Sequence, residues 1–275
     1  MTPQHQKELA DAVALLEKPN FAGKVTRALG TPVNKALALL PADWSERVAA
    51  ATQAAVTKAL DFAVFTLKDD PHAGASRVAH KLLSGVSGAV GGAFGLASLA
   101  IELPLSLVIV LRSIADIARS EGETVKDAAS KLACLEVLAL GGIGEAHDPA
   151  KNGYYAIRIG LAGAVSEAAK FIAEKGLVEE GAPALVRLVA QIAPRLSLQV
   201  SQKTAAQAIP LIGAAGGAAI NLIFIDHFQD LARGHFIVRR LERIYGTDAV
   251  RTEFEKLRSQ IDTPAAPPPL ALADR

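Results

Sequence analysis

The sequence predicts an all-α protein, and three observations carry that expectation. Alanine and leucine dominate, glycine and proline fall mainly between periodic segments, and stretches alternating apolar with polar residues are hard to find. With 51% hydrophobic residues among 275, the chain can bury a substantial core. The architecture expected is a single compact multi-helix bundle with two glycine-rich central helices.

Taken in order, a first helix is expected over Gln6 to Leu16, stopped near Pro19. Asp43 is an N-cap candidate for a helix that runs to Leu67, before the break DDPHAG, and the tract Ala75 to Gly95 follows. Pro104 then suits a first helical turn. Leu107, Leu111, Ile114 and Ala118 continue from it at spacings of four, three and four, which is one helix face. Thr124 and Asp127 form a candidate capping pair for a helix reaching Leu140. The turn-rich GGIGEAHDPAKNG separates it from helices over Tyr154 to Lys175 and Ala184 to Ala208. From about Gly216 to Tyr245, Phe224, Phe228 and Leu231, then Ile237, Leu241 and Ile244, keep helical spacing, and a short helix over Asp248 to Gln260 closes the fold. The proline-rich TPAAPPPLALADR is expected to be disordered. The chain therefore divides into an N-terminal helical extension (1–42), an all-α domain (43–262) and a tail (263–275).

The two central helices are marked by near-identical stretches, GAVGGA from Gly88 and GAAGGA from Gly213. Each is followed by bulky apolar residues and then an arginine-bearing helix, so the pair reads either as an internal pseudo-repeat or as a chance match between common residues. Ser84, Gly88 and Gly92 are spaced by four, as are Gly91 and Gly95, and Gly213 and Gly217. Small residues at that interval let helix backbones approach closely. The uncharged runs that contain them, Leu82 to Ile101 and Thr204 to Ile225, are each about the length a bilayer requires. Against insertion, the runs bury little area per residue, and Glu102 or Asp226 near a bilayer centre would cost roughly 2.5 to 3.5 kcal/mol. Glycine inside a helix costs roughly 1 kcal/mol against alanine, so several together imply compensation by tight packing or by a ligand.

Charge is nearly balanced, with 29 basic and 28 acidic residues and no block of like charges, so nothing supports nucleic-acid binding. Cys134, the only cysteine, sits in LACLEVLAL at helical spacing and reads as a small core residue in a reducing compartment. The N-terminus lacks the basic start and apolar core of a secretion signal. GxSxG is absent, and GAVGGAFG has no lysine where a phosphate loop would need one. No cofactor is expected.

Several polar constellations remain. Arg112, Asp116 and Arg119 share an arc opposite the apolar face of their helix, with Arg112 and Asp116 placed to pair; the arc reads as a solvated face or as an anionic head-group site. Asn221, inside an uncharged run, must be hydrogen-bonded if buried, as a clasp between helices or as a group orienting a ligand. Asp226, His227 and Asp230 could suggest a metal, but Asp226 and His227 diverge on a helix and no metal site is expected. Were Asp226 buried, it would need Arg233 or another cation. Glu145, His147 and Asp148 could serve acid–base chemistry beside a pocket, although surface loops commonly have this composition. Tyr154, Tyr155 and Arg158 are expected to join that loop to the core, Tyr155 burying its ring and bonding through its hydroxyl.

Three segments, GAFGLASLAIELPLSLVIVLRSIADIARSEGE, NGYYAIR and GAAGGAAINLIFIDHFQDLARGHFIVRRLERIYG, in that order, resemble the EcsC protein family, named after a protein associated with a bacterial ABC-transporter operon. The resemblance covers about Ala49 to Leu257. It implies an α-helical, bacterial, cytoplasmic or membrane-associated protein, and supplies no reaction or cofactor. Positions matching the family's pattern are Pro104, Arg112, Tyr155, Arg158, Asn221, Arg240, Leu241, Glu242 and Tyr245.

The function expected is that of a non-catalytic accessory protein at the inner membrane face, binding a lipid-like molecule or a membrane partner between its glycine-rich helices. Candidate ligand-binding residues are Gly88, Gly92, Gly95, Arg112, Asp116, Gly213, Gly217, Asn221 and Asp226; Tyr155, Arg158, Arg240, Glu242 and Tyr245 are candidate partner-binding or structural polar groups. The alternatives are a membrane-inserted protein assisting an ABC transporter and a hydrolase-type enzyme.

Overall fold

Every secondary-structure element among the described residues is a helix. The computed structural model describes residues 1–17, 21–30, 33, 37–38, 40–66, 95–125, 127–141, 153–175, 182–207 and 213–262. Its helices are α1 (Pro3–Glu17), α2 (Phe21–Leu29), α3 (Trp44–Thr66), α4 (Gly95–Ser120), α5 (Ala128–Leu140), α6 (Tyr154–Lys175), α7 (Pro183–Gln207), α8 (Gly213–Tyr245) and α9 (Thr247–Asp262).

α8 is the axis of the bundle. Its 33 residues span about 50 Å at 1.5 Å per residue, and α1, α2, α4, α5, α7 and α9 all pack on it. Phe224, Phe228, Leu231, Phe236, Val238 and Leu241 are fully buried along its length. α3 lies on α4, α5 and α7, while α6 closes against α5 and α7. α5 is the other interior element, buried at every position from Leu132 to Leu140, with Cys134 among them. Burial pushes the Cys134 thiol up to about 12.

Local chemistry sets the helix ends. Pro3 and Pro183 begin α1 and α7, where the missing N–H costs nothing. α4 ends in a Schellman motif, with Glu123 N–H donating to Ala118 O (2.9 Å), Gly122 N–H to Arg119 O (3.0 Å), and Gly122 at φ +79°. Gly246, at φ +84°, is the single residue that turns α8 into α9.

Three details differ from the sequence-based expectations. Pro104 lies well inside α4 rather than in its first turn, since the helix starts at Gly95; its missing N–H leaves the Ala100 carbonyl without its ladder donor. The cap of α5 is Asp127, whose carboxylate accepts the Ser130 N–H at 2.7 Å, so the helix begins after Asp127 and not at Thr124. α2 was not anticipated. The segment set apart as an N-terminal extension supplies α1, whose Leu9, Ala12, Val13 and Leu16 are buried on one face against α8.

Candidate ligand site and the polar network beside it

The polar groups inside the bundle fall into two regions along α8. The first lies where the glycine-rich start of α8 meets α4 and α7. Lys203 on α7 is 2% exposed and forms an ion pair with Glu102 on α4, itself 8% exposed, at 2.9 Å. The ammonium also donates to Ser106 Oγ at 3.2 Å and lies 4.8 Å from the centre of the Phe224 ring. Gln207 donates to Glu102 Oε1 at 3.2 Å and reaches Asn221 Oδ1 at 3.5 Å, and Asn221 bonds Glu102 as well. Burial raises the Glu102 carboxyl, but the adjacent Lys203 charge and these bonds outweigh it and hold the group below its ordinary range. Lys203 is pulled down by burial.

One turn along α7 from Lys203 sits Gln199, fully buried, with neither its carboxamide oxygen nor its nitrogen bonded. A Cβ placed on Gly141, at the end of α5, would stand 3.0 Å from Gln199 Oε1 and 3.1 Å from Phe228 Cζ. His227 meets the Gly141 backbone from α8, and its Nε2 makes no hydrogen bond. Burial, then the Lys24 charge, lowers the imidazole to about 4, so it is neutral at pH 7. Further along, Gln229 of α8 donates to Ser113 of α4 at 2.7 Å. The interface of α4, α7 and α8 thus carries a polar seam within an aromatic and aliphatic core.

The second region, along the C-terminal half of α8, is dense in ion pairs and hydrogen bonds, although His235 Nε2 makes no hydrogen bond. Arg158 forms a two-pronged bond with Glu242 (2.8 and 3.0 Å), which also accepts the Tyr155 hydroxyl at 2.9 Å. The guanidinium stacks 5.3 Å from the Tyr154 ring. Tyr154 Oη and His235 Nδ1 are 3.1 Å apart, and His235 Nε2 is 3.7 Å from Glu136. Burial raises Glu136 and lowers His235, favouring the neutral form of each. Glu123 accepts from Arg239 (2.9 Å), Ser130 (2.9 Å) and Arg243. Arg240 bridges Glu8 (2.8 Å) and Glu121 (2.7 Å), and Tyr245 Oη lies 2.8 Å from His5 Nδ1. This region ties α1, α4, α5 and α6 to α8.

The candidate residues separate accordingly. Asn221 belongs to the polar seam, and Gly95 and Gly213 are the first residues of α4 and α8. No described residue comes within 4 Å of a Cβ built on Gly217. Among the described glycines the closest helix contact falls at Gly234, where a Cβ would meet Leu16 Cγ at 2.7 Å and the Ala12 carbonyl at 3.1 Å. Asp116 pairs with Arg119 at 2.6 Å, and Arg112 lies on the same helix. Asp226 is exposed and takes Lys24 as its partner at 3.1 Å, while Arg233 bonds Asp230. Tyr155, Arg158, Arg240, Glu242 and Tyr245 all enter the paired network. Gly88, Gly92, Glu145, His147 and Asp148 lie outside the described residues. The sequence does not single out Lys203 and Gln199, because QVSQKTAAQ carries the composition of a solvated face, nor His235, a lone histidine in ARGHF.

Among the described residues no helix is long and apolar enough to cross a membrane, and no cluster of three or more His, Cys, Asp and Glu is placed to hold a metal. The class defined by this architecture is an all-α bundle threaded by a buried polar seam, with a network of ion pairs along the C-terminal half of its central helix. The chain belongs to the EcsC protein family, whose model matches residues 4–241 and so takes in α1 as well as both glycine-rich stretches of sequence. No curated protein and no solved structure was found to match it.

Proposed function

We propose that the protein is a non-catalytic accessory protein acting at the inner membrane face, and that it holds a lipid-like amphiphile where α4, α7 and α8 converge. The observation that carries this reading is the buried Glu102–Lys203 pair, ringed by Ser106, Gln207 and Asn221. A buried ion pair is often no more stabilising than apolar residues of the same volume. Its presence in a helix interface whose other polar groups are uncharged amides and hydroxyls is accounted for by a polar head group that these groups would hold.

Two measurements test the reading together. Protein purified without detergent, extracted with organic solvent and examined by mass spectrometry, yields a stoichiometric amphiphile, and the protein floats with phosphatidylglycerol vesicles. Replacing the pair by Glu102→Met with Lys203→Met keeps the fold and lowers the recovered amphiphile. An extract without any amphiphile, together with no flotation, overturns the reading.

A further inference from the structure

The amide and imidazole around Gly141 are harder to account for than the ion pair, which satisfies itself. A fully buried carboxamide with no bond at either end recovers none of the hydrogen bonds it makes to water when unfolded, and Gln199 has two such atoms. His227 contributes a third, and the two side chains come from different helices onto the same backbone position. The surroundings are aromatic: the His227 ring centre lies 5.4 Å from that of Phe21 and 5.3 Å from that of Phe228, and Phe224 stands 5.0 Å from Phe228. Phe224 in turn touches Lys203, so an apolar wall joins this spot to the ion pair.

We propose that Gln199 and His227 form, around Gly141, an uncharged subsite that binds a neutral group able to donate and accept a hydrogen bond at once, of the hydroxyl or carboxamide class. The carboxamide offers a donor and an acceptor, and the imidazole adds the complementary atom that its tautomer leaves free. Neither side chain is charged at neutral pH, and Lys203 one turn away is already matched by Glu102. An ionic group would find no counter-charge at Gly141; a primary carboxamide or a pair of hydroxyls supplies the two donors and the acceptor that Gln199 Oε1, His227 Nε2 and Gln199 Nε2 leave open. The inference rests on the amphiphile reading and extends it, assigning the neutral, hydrogen-bonding part of the molecule to this subsite.

Binding of dodecanoylglycerol, which is neutral and hydroxyl-bearing, and of dodecyl phosphate would be measured by titration calorimetry. The proteins compared are the unaltered chain, Gln199→Met and the double Glu102→Met/Lys203→Met variant. Loss of two hydrogen bonds at about 1 kcal/mol each predicts at least a roughly tenfold weaker dodecanoylglycerol affinity in Gln199→Met, with little change in the double variant. Weakening in the double variant alone overturns this inference and leaves the amphiphile reading standing. Failure of the unaltered protein to bind either compound overturns both. Because Gln199→Met could disturb packing, the side-chain amide resonances of Gln199 are followed in the unaltered protein as well. They shift with dodecanoylglycerol if the subsite is filled; resonances that stay fixed while the compound binds mean that ordered water occupies the spot, and the inference fails.

Discussion

Arg158 and Glu242 show what single side chains contribute to this bundle. Their side chains are 19% and 9% exposed, and Glu242 satisfies Arg158 and Tyr155 together. Glu242→Gln leaves the guanidinium buried without its counter-charge, which is expected to lower stability by about 3 kcal/mol or more, read from the urea midpoint. Replacing both by apolar residues recovers much of that loss. His227 gives a pH signature. Its pKa falls from the ordinary 6.5 to about 4 on folding, so the unfolded chain binds the proton more tightly. Stability is therefore complete above pH 6.5 and declines as pH falls towards 4. At about 1.4 kcal/mol per pH unit the decline attributable to this group is about 3 kcal/mol. A His227→Gln variant has a flatter stability profile over that window; an unchanged slope refutes the assignment.

At the scale of elements, glycine acts where α1 crosses α8. Gly234→Ala drives a methyl into Leu16 and the Ala12 carbonyl, and is expected to cost about 1 to 3 kcal/mol by overpacking. Adding Leu16→Ala relieves part of the clash. A double-mutant cycle then returns a coupling energy above about 0.5 kcal/mol; additivity would show that the two helices separate freely. The sequence made most of the helices legible, because Tyr154, Ile157 and Leu161, or Phe224, Phe228 and Leu231, repeat at the right interval. It did not point to Gly234 as a place where two helices meet. A lone Gly234 in QDLARGHF carries no pattern, whereas the repeated small residues at Gly213 and Gly217 do, and their spacing holds whether or not a partner covers them. α2 escapes for a related reason: in a nine-residue helix, the buried Phe21 and Val25 are too short a series for a period to stand out.

On the scale of the whole molecule, the polar contacts join parts remote in sequence. Glu17, at the end of α1, accepts the Tyr154 N–H at 2.9 Å and so caps α6. Glu8 pairs with Arg240 on α8, and Glu102 of α4 with Lys203 of α7. Such pairings are tertiary facts, and a sequence supplies the charges without their partners. That is why Asn221 could be recognised from its place inside an uncharged run while Lys203, among glutamines and serine, could not. Tyr155 was readable because an aromatic next to a turn needs both burial and a bond for its hydroxyl.

The single thiol at the centre of α5 turns the protein into its own stopwatch. Raised to about 12 and sealed by the surrounding helices, Cys134 offers a reagent almost no thiolate while the bundle is closed. Alkylation must wait for an opening that bares α5, so its rate, compared with that of the denatured chain, reports the free energy of that opening. No engineered label is needed, and no second cysteine confuses the count. An amphiphile bound between α4, α7 and α8 slows the modification in proportion to its occupancy; a rate indifferent to bound amphiphile would place the opening that exposes Cys134 elsewhere in the bundle.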